Sequence, residues 1–118
     1  WRIVNPDESV RSEDLTIMFS DNSVYHTRHL MLEKLESWVS PQSGKEYGTR
    51  WRIREQARDM DLEVKARHAQ QEIRMFETLS IPPFHFWEGR TAVSGHIDGK
   101  AVSGIGYAES VRLSEGPG

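Results

Sequence analysis

The chain contains no cysteine. Disulfide frameworks, thiolate metal sites and cysteine nucleophiles are thereby excluded, and the redox compartment stays open. Lysine is also scarce: Lys34, Lys45, Lys65 and Lys100 stand far apart, and 15 basic residues against 18 acidic ones leave a net charge of -3. A surface that tracks phosphates needs clustered positive charge, so nucleic acid is not the expected partner. Basic runs such as Arg50-Trp51-Arg52-Ile53-Arg54 alternate with apolar residues, which in a strand gives one wet face. No apolar run approaches the length needed to cross a bilayer as a helix, and no signal-peptide pattern is present. A soluble protein is expected, cytoplasmic in preference to secreted. The sequence opens at Trp1 rather than at methionine, as a trimmed or processed product would, and its 118 residues suit one domain.

What the sequence does have is alternation. Glu13-Asp14-Leu15-Thr16-Ile17-Met18-Phe19 sets Leu15, Ile17 and Phe19 on one side. Ser20-Asp21-Asn22-Ser23 then supplies turn chemistry before Val24-Tyr25-His26-Thr27, which predicts a hairpin. Leu32, Leu35 and Trp38 also fit helical spacing, but their neighbours favour a strand over residues 30–38. Pro41-Gln42-Ser43-Gly44 is a turn, and Thr49 to Arg54 alternates strictly. Met60 to Arg67 points Leu62, Val64 and Ala66 one way and Asp61, Glu63, Lys65 and Arg67 the other. Residues 68–83 read as a connection ending in Ile81-Pro82-Pro83, which cannot continue a sheet ladder. Two strands near 84–97 and 101–111 meet at Asp98-Gly99, a dipeptide suited to tight hairpins, and Ser114 to Gly118 reads as a frayed tail. Seven or eight antiparallel strands with one apolar face must close or pack to hide that face. The expectation is an all-β barrel of about eight strands occupying residues 1–118, wide enough for one small ligand. Glycines 89, 95, 104 and 106 are expected where its strands bend.

The candidate chemistry gathers on the last two strands. Glu88 follows Trp87 in Phe84-His85-Phe86-Trp87-Glu88-Gly89, and a carboxyl among rings loses hydration and can serve as a general acid. Alternation places Glu88 with Phe84 and Phe86; if those rings line the interior, Trp87 lies outside or at a rim. Tyr107 and Glu109 share a face on the following strand. Pairing across Asp98-Gly99 sets residues whose numbers sum to about 197 opposite each other, so Glu88 meets Glu109. Two such acids can titrate in separate steps and divide the acid and base roles, or they can be held by Arg52, Arg54 or Arg90 in a surface network. The histidines at 26, 29, 68, 85 and 96 form no metal-ligand spacing, so no metal is expected. Gly104-Ile105-Gly106 lacks the third glycine and the following helix of a dinucleotide loop.

Several stretches in order carry a family resemblance: Trp38-Val39-Ser40-Pro41-Gln42-Ser43-Gly44-Lys45-Glu46-Tyr47, Thr49-Arg50-Trp51-Arg52-Ile53, Gln71-Glu72, Trp87-Glu88-Gly89 and Gly106-Tyr107-Ala108-Glu109. Over residues 36–110 the chain resembles the C-terminal lipocalin-like domain of the AttH and carotenoid 1,2-hydratase family. It departs from the family pattern at Gly48, where a proline is usual, at Phe86, where a tyrosine is common, and at Ser110-Val111-Arg112, where threonine, glycine and tyrosine close the motif. The resemblance implies a calycin-type barrel and a bulky apolar ligand such as a polyene, with no redox cofactor. It also implies a second barrel, or a second copy of the chain, as a partner. Related lipocalin-like proteins include hydratases of isoprenoid double bonds and cyclases that close a linear polyene by a [4+2] reaction. On this reading Glu88, Tyr107 and Glu109 are catalytic, and Trp38, Trp51, Phe84, Phe86 and Trp87 hold substrate. Cyclisation or isomerisation is the first expectation; a hydratase and a non-catalytic carrier of lipid or pigment are the alternatives.

Overall fold

The computed structural model describes residues 1–75 and 84–112. Ile81-Pro82-Pro83 and the Ser114 to Gly118 tail lie outside the described residues. Among those described there are ten strands and no helix: β1 (Arg2–Val4), β2 (Val10–Glu13), β3 (Leu15–Met18), β4 (Val24–Thr27), β5 (Met31–Val39), β6 (Glu46–Glu55), β7 (Met60–Ala66), β8 (Glu72–Met75), β9 (Phe84–Ile97) and β10 (Lys100–Arg112). The expected hairpin is β3–β4, with Ile17 opposite Tyr25. Residues 31–39 form a strand, as their neighbours suggested. Asp98 (φ 53°) and Gly99 (φ 73°) make the two-residue turn between β9 and β10, both in the left-handed region that a type I′ hairpin requires.

The main sheet runs β10-β9-β7-β6-β5, with β8 added beside β9. All its pairings are antiparallel. The expected closed barrel is not formed among the described residues: β5 and β10 end the sheet and do not pair with each other. Closure needs the end strands of one sheet to pair, at a common tilt and stagger. Here four short strands go instead into the separate hairpins β1–β2 and β3–β4.

β7 and β8 succeed one another along the same side of β9. Ala66, the last residue of β7, pairs with Thr91, whereas β8 pairs with Phe84 to Trp87. The start of β6, Glu46 to Gly48, pairs with β5 but has no β7 residue opposite it. The sheet is therefore split between β6 and β8 at this end, and side chains must bridge the gap.

Register assigns each residue of β6 to β10 to one of two faces. One carries Trp51, Ile53, Leu62, Val64, Trp87, Thr91 and Val93; the other carries Arg50, Arg52, Asp61, Glu63, Glu88, Arg90, Tyr107 and Glu109. The strict alternation read in 60–67 holds. The first face is the core side: Trp87 and Met60 are buried, and Arg2 of β1 lies 5.7 Å from the Trp51 ring. On the second face Arg50 binds Glu63 at 2.7 and 2.8 Å and Arg52 binds Asp61 at 2.9 and 2.6 Å, each through two nitrogens. These arginines are thus engaged within β6–β7 and do not hold the acids of β9 and β10.

The N-terminal hairpins are tied to the sheet at its far end. Buried Glu55 accepts the Tyr25 hydroxyl at 2.9 Å and the Arg58 amide at 2.8 Å. Arg58 in turn stacks on Phe19, 4.6 Å away, and pairs with Asp98 at 2.7 Å, joining three turns. Of the four glycines expected at bends, only Gly95 has positive φ, at 145°. A Cβ there would strike the Asp61 carbonyl oxygen across the ladder. Gly95→Ala should therefore cost about 2 kcal/mol or more through clash and backbone strain combined. A urea titration that finds the variant within a few tenths of a kcal/mol of the parent would refute that account.

Candidate functional site

Glu72 closes the split in the sheet. From β8 its Oε1 accepts the Ser40 hydroxyl at 2.7 Å, and its Oε2 accepts those of Ser43 at 2.5 Å and Tyr47 at 2.7 Å. Ser40 and Ser43 belong to the β5–β6 turn, where the Ser40 oxygen also takes the backbone amides of Gln42 and Ser43. Partial burial pushes the Glu72 carboxyl up, but the bonds from Ser43, Ser40 and Tyr47, helped by the charge of His85, outweigh it and hold the group below its ordinary value. Tyr47 and Ser40 are 0% and 1% exposed. The cluster thus ties the β5–β6 turn and the start of β6 to β8.

Trp87 stands beside this cluster and corrects the expectation that it lies outside or at a rim. It is 1% exposed, and its indole N–H donates to the Ala69 carbonyl at 2.7 Å. Trp38 stacks on Tyr47 at 6.4 Å, and the Trp51 ring covers Gly48, where any Cβ would collide with it. The family's usual proline at 48 would meet the same ring. Trp51 and Trp87 lie on the core side, away from the acids.

Those acids occupy the opposite face. Glu88 is directly opposite Glu109, as the sum of 197 requires, and Tyr107 is opposite Arg90. Directly opposed residues have Cβ atoms about 5 Å apart, within reach of one small substrate group. The Tyr107 hydroxyl donates to Glu88; that bond first, then burial and the charges of Glu88 and Glu109, push the phenol up and keep it a donor at neutral pH. Phe84 and Phe86, 5.5 Å apart, share this face with Glu88. Register places Ile73 opposite Phe86, Met75 opposite Phe84 and Val111 opposite Phe86, and these three aliphatic residues are exposed by 38–42%. Two carboxyls and a phenol thus sit at the margin of an open apolar patch, not within an enclosed chamber. Sequence reasoning missed β8 and with it half of that patch, because Glu72 to Met75 is too short to show a period.

An open antiparallel sheet, cinched by a hydroxyl-bound carboxylate and presenting an acid pair on its outer face, is the class of protein these features define. The chain belongs to the AttH-like family, whose model matches residues 1–110. Among solved structures it is similar to kievitone hydratase from Nectria haematococca, with a TM-score of 0.72 at 18% identity. That match covers 97% of this chain and 34% of the hydratase chain, so the chain spans about a third of that protein's length. No curated protein matches it in sequence.

Glu72 is held below its ordinary value of 4.5 in the folded state. A depressed carboxylate contributes stability that is present above its unfolded value and lost as the pH falls towards the folded one. Glu72→Gln should cost about 2 kcal/mol at neutral pH by weakening three bonds to a charged acceptor, and should lose less stability than the parent as the pH drops from about 5 to 3. Parallel stability profiles over that interval would exclude this role.

Proposed function

We propose that this chain carries the acid–base centre of a hydratase-type enzyme acting on an unsaturated, bulky apolar molecule. The observation that supports this reading is the direct cross-strand pairing of Glu88 with Glu109 beside the Tyr107 donor, at the margin of the Phe84 and Phe86 patch. Adding water to a carbon–carbon double bond needs two proton transfers at neighbouring positions, one to carbon and one from water. Glu109 delivers a proton to one alkene carbon and is left as the carboxylate. Glu88, the acceptor of the Tyr107 hydroxyl, takes a proton from water as the water oxygen bonds to the adjacent carbon. Solvent then returns the proton from Glu88 to Glu109, and the net change is the gain of one water. Phe84, Phe86, Ile73 and Met75 would hold the apolar body of the substrate.

The pairing also distinguishes this reading from the other two. A [4+2] cyclase needs orientation and one donor to a carbonyl, which Tyr107 alone would supply, and leaves the second acid without a task. A carrier needs neither acid. Similarity in fold to a hydratase agrees with the choice, although the substrate of that protein is its own.

In the intact protein, Glu88→Gln and Glu109→Gln should each lower turnover by about 100-fold or more, and Tyr107→Phe by about tenfold, with ligand affinity changed far less. Mass spectrometry after incubation of an acyclic isoprenoid in ¹⁸O-labelled water reads the product directly. Wild-type rates in both glutamine variants would remove the acid–base assignment. A ring-closed product with no labelled oxygen would replace hydration with cyclisation.

A further inference from the structure

Most of the basic residues on the sheet are already matched. Arg2 pairs with Glu13, Lys34 with Glu46, Arg50 with Glu36 and Glu63, Arg52 with Asp61, Arg54 with Glu33 and Arg58 with Asp98. Lys65, Arg67 and Arg90 are different. Among the described residues none of the three makes an ion pair, and all three line one hollow of about 250 Å³. Its floor is apolar, formed by Ala66, Ala92 and Ile105, with Ile105 72% exposed.

The topology explains why they converge. β7 ends at Ala66 and β8 does not begin until Glu72, so the side of β9 around Arg90 is left without a neighbouring strand. Arg67 is held there by its amide, which donates to the Arg90 carbonyl at 2.9 Å. Lys65 and Ile105 are both register partners of Ala92, and Arg90 is the partner of Tyr107. Three cations therefore ring an apolar floor one residue pair away from the Glu88–Glu109 pair. Like charges gathered in one hollow repel; Glu63, already bound by Arg50, offsets Lys65 only in part, and a bound anion would relieve the remainder.

We propose that this hollow binds the carboxylate of a small aromatic or apolar acid, its ring lying on Ala92 and Ile105 and its charge held by Lys65, Arg67 and Arg90. Guanidinium groups suit a planar carboxylate because they can donate two parallel hydrogen bonds. The site needs no catalysis by Glu88 or Glu109, and it stands or falls separately from the hydratase reading. A substrate or product bearing such a group would be placed with its remaining carbon skeleton over Tyr107 and the acid pair.

Calorimetric titration with 2-naphthoate tests the proposal, with 2-naphthamide as the uncharged counterpart. The parent should bind the carboxylate at least about tenfold more tightly than the amide, and should lose that preference as salt is raised. Lys65→Gln and Arg90→Gln should each weaken naphthoate binding by about tenfold, the loss of one charge-assisted contact. Lys100→Gln, at the distant hairpin turn, should leave it unchanged, and circular dichroism should show all three variants folded. Equal binding of acid and amide, undiminished binding in both Lys65→Gln and Arg90→Gln, or no binding of naphthoate to the folded parent would each overturn the assignment. Glu88→Gln separates the two readings: by removing a neighbouring negative charge it should not weaken naphthoate binding, whether or not it abolishes hydration.

Discussion

The carboxylate of Glu72 and the three hydroxyls it accepts form the interaction on which the rest of this structure depends. Backbone pairing alone does not hold β6 to β8, because β7 stops short of the gap between them. A charged acceptor saturated by Ser40, Ser43 and Tyr47 substitutes for the missing ladder. Each such bond contributes more than a neutral one, since the acceptor is ionised and partly withdrawn from water. The bridging also fixes β8 beside β9, and β8 carries Ile73 and Met75 to the rings of Phe84 and Phe86. Removing this partly buried acid would therefore disturb the patch on the far side without touching it.

The two faces of the sheet divide the work. Among the described residues Trp87 and Met60 are buried on the core side and Tyr47 beside Glu72, a thin core for an antiparallel sheet of this size. Polar bonds share the load at both ends: Glu72 at one, and Glu55 with Arg58 at the other. The paired arginines of β6 add little to stability, because they are substantially exposed. Their larger effect is on the charge pattern. By binding Asp61 and Glu63 they leave Glu88 and Glu109 as an acidic site and Lys65, Arg67 and Arg90 as a basic one, side by side on the outer face.

Much of this was legible in residue order. A period of two over 60–67 gave the correct faces, and Asp98-Gly99 fixed a register that brings Glu88 to Glu109 with no structural input. The family motifs marked Ser40, Ser43, Tyr47 and Glu72 without revealing that they meet in space, since partners some 25 to 32 positions apart leave no local signature. Two other features were hidden for definable reasons. Alternation tells that Trp87 and Glu88 face apart but not which face is dry; that depends on where the β5–β6 turn and residues 68–71 pack, which are long-range contacts. The open ends of the sheet were equally invisible, because strand count limits whether a barrel can close without determining whether its first and last strands meet. The short strands β1, β2 and β8 carry too few residues for periodicity to rise above chance.

The adjacency of Trp87 and Glu88 couples architecture and chemistry in an asymmetric way. Point substitutions can alter one without the other, because neighbouring positions in β9 project into different environments. An insertion or deletion of a single residue between Phe84 and Arg90 has no such freedom: it would drive an indole into water and a carboxylate into the core in one step. Diversification of this strand is consequently confined to exchanges at its even-numbered positions, where new specificities can arise while the odd-numbered ones preserve the scaffold.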